Sequence, residues 1–521
     1  MALIEHASDA PAAVIRLHAS DDVVIARTPL PAGTEALPGI VLTAAVPAAH
    51  KIAVHSLKAG DKIRRYGQVI GRATQTIAPG EHVHVHNLSI GDLEGDSHTP
   101  DYAIGSEIHP VARAETAATF LGIPREDGRV ATRNYIGILT SVNCSATVAH
   151  AIADHFRRDV HPEALAPYPN VDGVVALTHG VGCAVAADGE PLAMLQRTLA
   201  GYARHVNFAA VLVIGLGCET NQIEALIESQ GLSPGPRLHP FTIQKAGGTT
   251  RAIAEGIHHI ETLLKEANDV ERVSCAAEHL RVALQCGGSD GYSGITANPA
   301  LGAAVDRLVA QGGSAVLAET PEIYGAEHLL TRRATSPAVA HKLIARIHWW
   351  EAFCRVRGAS LDNNPSAGNK AGGLTTILEK SLGAVAKAGT TPLVEVLEYA
   401  EPMRERGLAF MDSPGFDPVS VTGQVASGCN LIAFTTGRGS AFGCAPVPSM
   451  KLATNSALWR HQGDDIDINC GAMIDGEIDL ETLGEQIFQR FLSLASGERS
   501  QSERHGYGQQ EFVPWQIGVI T

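Results

Sequence analysis

Along the first ninety or so residues, apolar positions come in short alternating runs. Val14–Leu17, Val23–Ala26, Lys51–Val54 and His82–His86 are separated by turn signals, Pro31-Ala-Gly, Lys58-Ala-Gly-Asp and Pro79-Gly. Such alternation between glycine- and proline-containing turns predicts a small all-β module over residues 1–90. Residues 91–118 are polar and aperiodic, as a linker is. From Tyr135 onward the pattern changes. Apolar runs occur at Ile136–Val142, Val174–Leu177, Ala210–Leu216, Arg281–Gln285, Ala315–Ala318, Leu393–Leu397, Leu408–Met411 and Leu431–Phe434. Helical segments such as Ser145–Phe156 and Pro191–His205 lie between them. Near-continuous apolar strands alternating with helices predict an α/β region over 119–521, with a mostly parallel, Rossmann-like sheet covered on both faces. Whether a second subdomain begins near 390 is left open by the pattern.

In such sheets, sites form where loops leave the carboxyl ends of strands. Four of the predicted strands deliver a thiol there. They run into Asn143-Cys144-Ser145, Thr178-His179-Gly-Val-Gly182-Cys183, Gly217-Cys218-Glu219 and Cys286-Gly-Gly-Ser289-Asp290. Thiolate and imidazole suit iron or zinc, and carboxylate can complete the shell. A single cysteine at a strand end is more simply a small hydrophobe. Four at equivalent positions along one expected edge favour a metal site of Cys144, His179, Cys183, Cys218 and Cys286. Glu319, ending the next strand, either joins that edge or starts a helix.

Other clusters offer polar chemistry. Asn364-Pro-Ser-Ala-Gly-Asn369-Lys370-Ala-Gly-Gly is a polar loop before a helix that contains Glu379 and Lys380. Thr435-Thr436-Gly-Arg438-Gly places a guanidinium at a strand end, suited to bidentate carboxylate capture. The bland reading of each is loop capping or a surface ion pair. His82, His84 and His86 alternate, so a strand would carry them on one face, for metal or anion contact or simply in solvent. His179-Gly180-Val-Gly182 and Gly437-Arg-Gly439 half match a dinucleotide-binding loop, but neither completes it. These glycines more simply let the backbone approach a small oxygen-rich ligand.

Bulk properties narrow the partners. The 521 residues allow two or three domains, and the net charge of −15 disfavours nucleic acid. The first ten residues have no apolar core of a leader, and Phe208–Gly217 is half the ~20 residues of a membrane span. A soluble, cytoplasmic protein is expected, touching no membrane. Its nine cysteines are then thiols or metal ligands rather than disulfides.

Several longer motifs bear a resemblance. His50-Lys51-Ile-Ala, Tyr66-Gly-Gln-Val-Ile-Gly71 and Gly80-Glu-His-Val-His-Val-His-Asn87 resemble the β-clip (SAF-type) module of the altronate/galactarate dehydratase family. Asp127-Gly-Arg-Val-Ala-Thr-Arg-Asn134, Gly215-Leu-Gly-Cys-Glu219, Cys286-Gly-Gly-Ser-Asp-Gly291 and Ser293-Gly-Ile-Thr-Ala-Asn-Pro299 are similar to its catalytic part. So are Asn364-Pro-Ser-Ala-Gly-Asn-Lys370 and Phe434-Thr-Thr-Gly-Arg-Gly439. The resemblance spans nearly the whole chain. It implies removal of water from a sugar acid to give a 2-keto-3-deoxy acid, with ferrous iron, in a homodimer. The histidine run and Glu322-Ile-Tyr-Gly-Ala-Glu327 tilt it towards the altronate branch rather than the galactarate one, and a related branch acts on sulfolactate.

Resemblance and residues together give a working site. A metal would stabilise the enediolate formed on loss of the proton beside the carboxylate. Mononuclear ferrous iron is one form, and an iron–sulfur cluster on the cysteines is the alternative. Arg438 and Lys370 are expected at the carboxylate, and Asn298, Ser289, Asp290, His84 and His86 at the rest of the substrate. His179 is the first candidate for proton transfer, with Lys380 or Glu379 in reserve. The non-enzyme alternative is a sugar-acid-binding sensor.

Overall fold

The structure, a computed structural model, describes residues 12–91 and 102–518. The N-terminal module is all-β. Its antiparallel four-stranded sheet runs Val14–Ile15, Val23–Ala26, Lys51–Ala53, His82–Val83, beside a three-stranded sheet of Lys62–Arg65, Gln68–Ala73 and Leu88–Ser89. The expected strand over 82–86 stops at Val83. Asn87 turns the chain there: its Oδ1 accepts the His84 amide at 2.9 Å and its Nδ2 donates to the His82 carbonyl at 2.9 Å. Ile63, Ile70, Ile77 and Val83 share one core with Leu284 and Leu301 of the α/β region. The module is therefore packed onto the body. Of the linker, residues 92–101 lie outside the described residues, and 102–118 carry no helix or strand.

The α/β region holds two parallel sheets where the sequence suggested one. The first has four strands in the order Gly173–Leu177, Tyr135–Thr140, Phe208–Gly215, Leu238–Thr242. The second has seven, in the order Leu393–Leu397, Leu408–Met411, Ser314–Ala318, Arg281–Cys286, Leu431–Thr436, Ser449–Ala453, Ile468–Asn469. Strands from both sides of position 390 share this second sheet, so no layer boundary falls there. The eight apolar runs of the sequence are all strands. Leu238–Thr242 escaped notice because His239 and Pro240 interrupt its apolar run.

Alternation along each strand fills two cores. Ala210, Leu212 and Ile214 face the helices Ala146–His155 and Thr249–Asn268. Val211 and Val213 face the other way, into a core shared with Ala283, Val316 and Phe434 of the large sheet. Helices Glu190–Ala203 and Asp417–Ala426 contribute Leu195, Leu199, Val421 and Val425 to that shared core. They approach closely at Gly201, where a Cβ would run into the backbone of Ala426. Among the described residues no helix is long and apolar enough to cross a membrane.

Candidate functional site

The large sheet gathers charge at its carboxyl edge. Cys286 ends its strand, and the chain turns at once through Gly287 and Gly288, the latter at φ +64. A Cβ at Gly287 would run into the Asp417 carboxylate and the Phe434 ring. Lys387 Nζ donates to Cys286 Sγ at 2.9 Å, and Glu322 Oε2 lies 3.6 Å from the same sulfur. Lys380 Nζ donates to Glu322 Oε1 at 2.6 Å and to Asn364 Oδ1 at 2.9 Å. Glu319, at φ 74, ends the neighbouring strand, and among the described residues neither of its buried carboxylate oxygens has a hydrogen-bond partner.

Electrostatics divides the acids here. Burial and then the Glu322 charge raise the Glu319 carboxyl well above the usual range. Glu322 itself is held low, because Lys380 and Lys387 outweigh the effect of burial. Burial pushes the Cys286 thiol up to about 11. Asp417, partly exposed at the start of its helix, is raised to about 7 by burial first and then by Glu322.

The helix Ile377–Val385 ties this edge to the β-module. Its Glu379 accepts from Lys51 Nζ at 2.9 Å, Arg65 Nη1 at 2.5 Å and Thr375 Oγ1 at 2.6 Å. Lys51, Arg65 and Glu379 have no exposed side-chain surface. Burial alone would raise Glu379, but the two cations bring it down to about 2, while burial draws Lys51 down to about 8. Beside Lys51, His50 Nδ1 lies 3.0 Å from His82 Nε2, and His50 Nε2 lies 3.3 Å from the Ala371 carbonyl. The His84 ring centroid is 4.8 Å from that of His50. One nitrogen from each of His50, His82 and His84 falls within 4.8 Å of the others. Burial is the first cause that lowers all three imidazoles, His82 to about 3 and His84 to about 4, so they stand neutral with lone pairs to offer.

Comparison with known proteins bears on what this edge does. The SAF domain of altronate/galactarate dehydratases matches residues 12–91, the second domain of D-galactarate dehydratase/altronate hydrolase matches 122–268, and the D-galactarate/altronate dehydratase C-terminal domain matches 277–520. The chain is 34% identical to an altronate dehydratase of Bacillus subtilis (strain 168) over 97% of its length and 99% of the relative's. It is 35% identical to an altronate dehydratase of Escherichia coli (strain K12), again over 97% and 99%. A galactarate dehydratase (L-threo-forming) of the latter organism is 36% identical over 96% of each chain. The chain belongs to the altronate/galactarate dehydratase family. It is thus a hydro-lyase of the sugar-acid type, and the sensor alternative falls away.

For a family member expected to use iron, the donor sets can be tested. The imidazole trio fits a divalent ion. The buried His84 Nδ1 has no hydrogen-bond partner among the described residues, and 3.0 Å between two imidazole nitrogens matches a shared ion at ~2.1 Å from each. Cys286, Glu319 and Glu322 also come within 4.8 Å of one another. Two ammonium groups already sit on that set, and a cation there would compete with both.

The remaining expected residues separate. Arg438 is exposed, with its Cβ against Gly288, and Lys370 is half-buried; neither has an ion pair among the described residues. Ser289 is buried, and its carbonyl accepts Asn369 Nδ2 at 2.8 Å. Asp290 is taken up by Thr454, Ser293 and Asn455, and Asn298 by Gly383 and Thr435. His86 is exposed, 5.5 Å from His82 between ring centroids. His179 lies at the smaller sheet. Its Nε2 faces the Thr140 carbonyl at 2.9 Å, its Nδ1 faces the Val181 amide at 3.3 Å, and burial lowers it to about 4. Cys144, Cys183 and Cys218 are at that sheet too, all exposed, whereas Cys286 is buried in the other.

Sequence reasoning did not single out His50, Lys51 or Arg65 for the site, nor Lys387 or Asp417. His50 and Lys51 carried one signal, their place in the His50-Lys51-Ile-Ala motif, and Arg65 stands just before the Tyr66 motif. Lys387 and Asp417 carried none, since only the tertiary fold brings them to Cys286.

Proposed function

We propose that the protein removes water from an aldonate, altronate, to give a 2-keto-3-deoxy acid, with ferrous iron held by His50, His82 and His84. The imidazole trio at the junction of β-module and large sheet is the observation that carries this reading. Bound iron would supply a Lewis acid for the substrate's carboxylate and adjacent hydroxyl, lowering the cost of removing the neighbouring proton.

The chain's own groups do the rest. Arg438 and Lys370, which make no ion pair among the described residues, receive the carboxylate. Asp417 takes the proton beside that carboxylate, since a base near 7 both accepts and returns a proton at cellular pH. Lys380, kept an ammonium by Glu322, stabilises the negative charge that develops before the hydroxyl departs. Glu379 accepts five hydrogen-bonding approaches and is read as a latch that holds His50 in place rather than as a proton carrier. His179, with both nitrogens engaged, is assigned to shaping the smaller sheet's loops.

Altronate is favoured over galactarate on the histidine run at His82, His84 and His86 and the Glu322-Ile-Tyr-Gly-Ala-Glu327 motif. A cytoplasmic homodimer accompanies this reading, on the family resemblance. The test is anaerobic turnover of altronate and galactarate by iron-loaded protein, read as 2-keto acid formed. Turnover of altronate with little of galactarate is expected. The reverse preference would overturn the substrate assignment, and turnover of neither would overturn the reaction.

A further inference from the structure

Three of the nine cysteines are exposed, and they are Cys144, Cys183 and Cys218. Cysteine is among the residue types most often buried, so exposure at these positions needs a reason. Their strands, Tyr135–Thr140, Gly173–Leu177 and Phe208–Gly215, are neighbours in the four-stranded sheet. Leu139 pairs with Leu177 and Thr140 with Ile214, so the strands end level. Cys144 and Cys218 each follow the Thr140–Ile214 pair by four positions, and Cys183 follows Leu177 by six.

The loops that carry them are laced together. The Asn143 amide donates to the Val181 carbonyl at 3.1 Å and the Asn221 amide to the Gly182 carbonyl at 2.9 Å. Asn221 Nδ2 donates to the Ser141 carbonyl at 3.0 Å, and Ser141 Oγ to Glu219 Oε1 at 2.5 Å. Gly182, at φ +107, lies so close to Ser141 that a Cβ would strike its carbonyl. Buried hydrogen bonds thus fix three loops whose thiols are left to solvent.

We propose that Cys144, Cys183 and Cys218 are the thiolate ligands of an iron–sulfur cluster, a metal centre distinct from the imidazole trio. One ion holds thiolates at ~2.3 Å each, so no two sulfurs around it stand more than ~4.6 Å apart. These three sulfurs do not form a set within 4.8 Å of one another. A cluster accepts the wider spacing, because its own iron and sulfide fill the middle. Cubane clusters usually take four thiolates. Cys286 cannot be the fourth, being buried under Lys387 in the other sheet. One iron therefore keeps a non-cysteine ligand, water or an oxygen of a small hydroxy acid. Ferrous and ferric iron in equal number, with one sulfide per iron, assemble the oxidised cube without net electron transfer, and the three thiols release their protons.

The inference does not depend on where the catalytic ion sits, and its test keeps the two apart. The full chain is loaded anaerobically with ferrous iron, ferric iron and sulfide, desalted, and assayed for iron, acid-labile sulfide and the electron paramagnetic resonance signal after reduction. Expected is labile sulfide in the parent protein, lost in Cys183→Ser and Cys218→Ser and retained in His82→Ala. Iron without sulfide in the parent, or sulfide undiminished in the cysteine variants, overturns the proposal. Iodoacetamide mapping of the unaltered chain gives a second readout that requires no variant. Loading should protect these three cysteines and leave the half-buried Cys354 as reactive as before; equal labelling of the three with and without loading overturns it.

Discussion

The two parallel sheets use the same device, loops at carboxyl strand ends, for opposite chemistry. At the seven-stranded edge, Cys286, Glu322, Lys380 and Lys387 compensate one another in the interior. At the four-stranded edge the polar groups that are bonded are structural, and three thiols face solvent. The first arrangement suits charge and proton transfer, where low dielectric strengthens every dipole aimed at the substrate. The second suits soft ligands for a group that must enter from outside. What separates them is cover: the β-module is packed against the first edge through Lys51, Arg65 and His50. Topology places a site, and burial decides what chemistry it runs.

Substitutions can break or sharpen that contrast. The largest effect is expected from His82→Ala or His84→Ala, which should remove the catalytic ion and with it altronate turnover, while thiol chemistry at the smaller sheet is unchanged; metal analysis beside the activity assay reads both. Asp417→Asn should lower kcat by about 10²–10⁴. In the parent protein, the Asp417 base is protonated below about 7, so kcat/KM should climb as pH rises through that value. The Asn variant should lose this limb in a pH–rate profile.

Glu379→Ala leaves Lys51 and Arg65 buried without their counter-ion, and urea unfolding should show a loss of about 3–5 kcal/mol. The latch also has a pH signature. Glu379 is depressed to about 2 from the ordinary glutamate range of about 4.5, so its stabilisation is complete above about 4.5 and lost as pH falls towards 2. Acid unfolding of the parent should steepen in that window, and the variant should be flatter there. Arg438→Lys should raise KM for altronate about tenfold to a hundredfold, through loss of a charge-assisted, two-point contact. Smallest of all, Cys218→Ser should change unfolding free energy by less than about 0.5 kcal/mol, as exposed positions do. A large destabilisation would mean that the thiol is part of the fold and erase the contrast between the edges.

Much of the fold was legible because it rests on local pattern. All eight apolar runs became strands within a residue or two, and so did three of the four short alternating runs of the β-module, Val14–Leu17, Val23–Ala26 and Lys51–Val54. The pairing of those strands was not legible. Arg281–Cys286 and Phe208–Gly215 look alike as apolar runs, and nothing local says that they belong to different sheets. The thiols were therefore read as one set. Partners that come from remote segments, such as Lys387 on Cys286 or Glu379 on Lys51 and Arg65, carry no spacing signal at all. The histidine run was legible as chemistry and misread as structure: the strand ends at Val83, yet the turn made by Asn87 still brings His84 to His82 and His50.

The imidazole trio of His50, His82 and His84 is the proposed seat of the catalytic ion. The direct test is anaerobic iron binding by the full chain and its His82→Ala and Cys218→Ser variants, loaded with ferrous iron alone, with altronate turnover measured in the same samples. About one tightly bound iron per chain is expected in the parent and in Cys218→Ser, and none in His82→Ala, which should also be inactive. Iron and turnover that survive His82→Ala would contradict the account and move the catalytic centre away from the β-module.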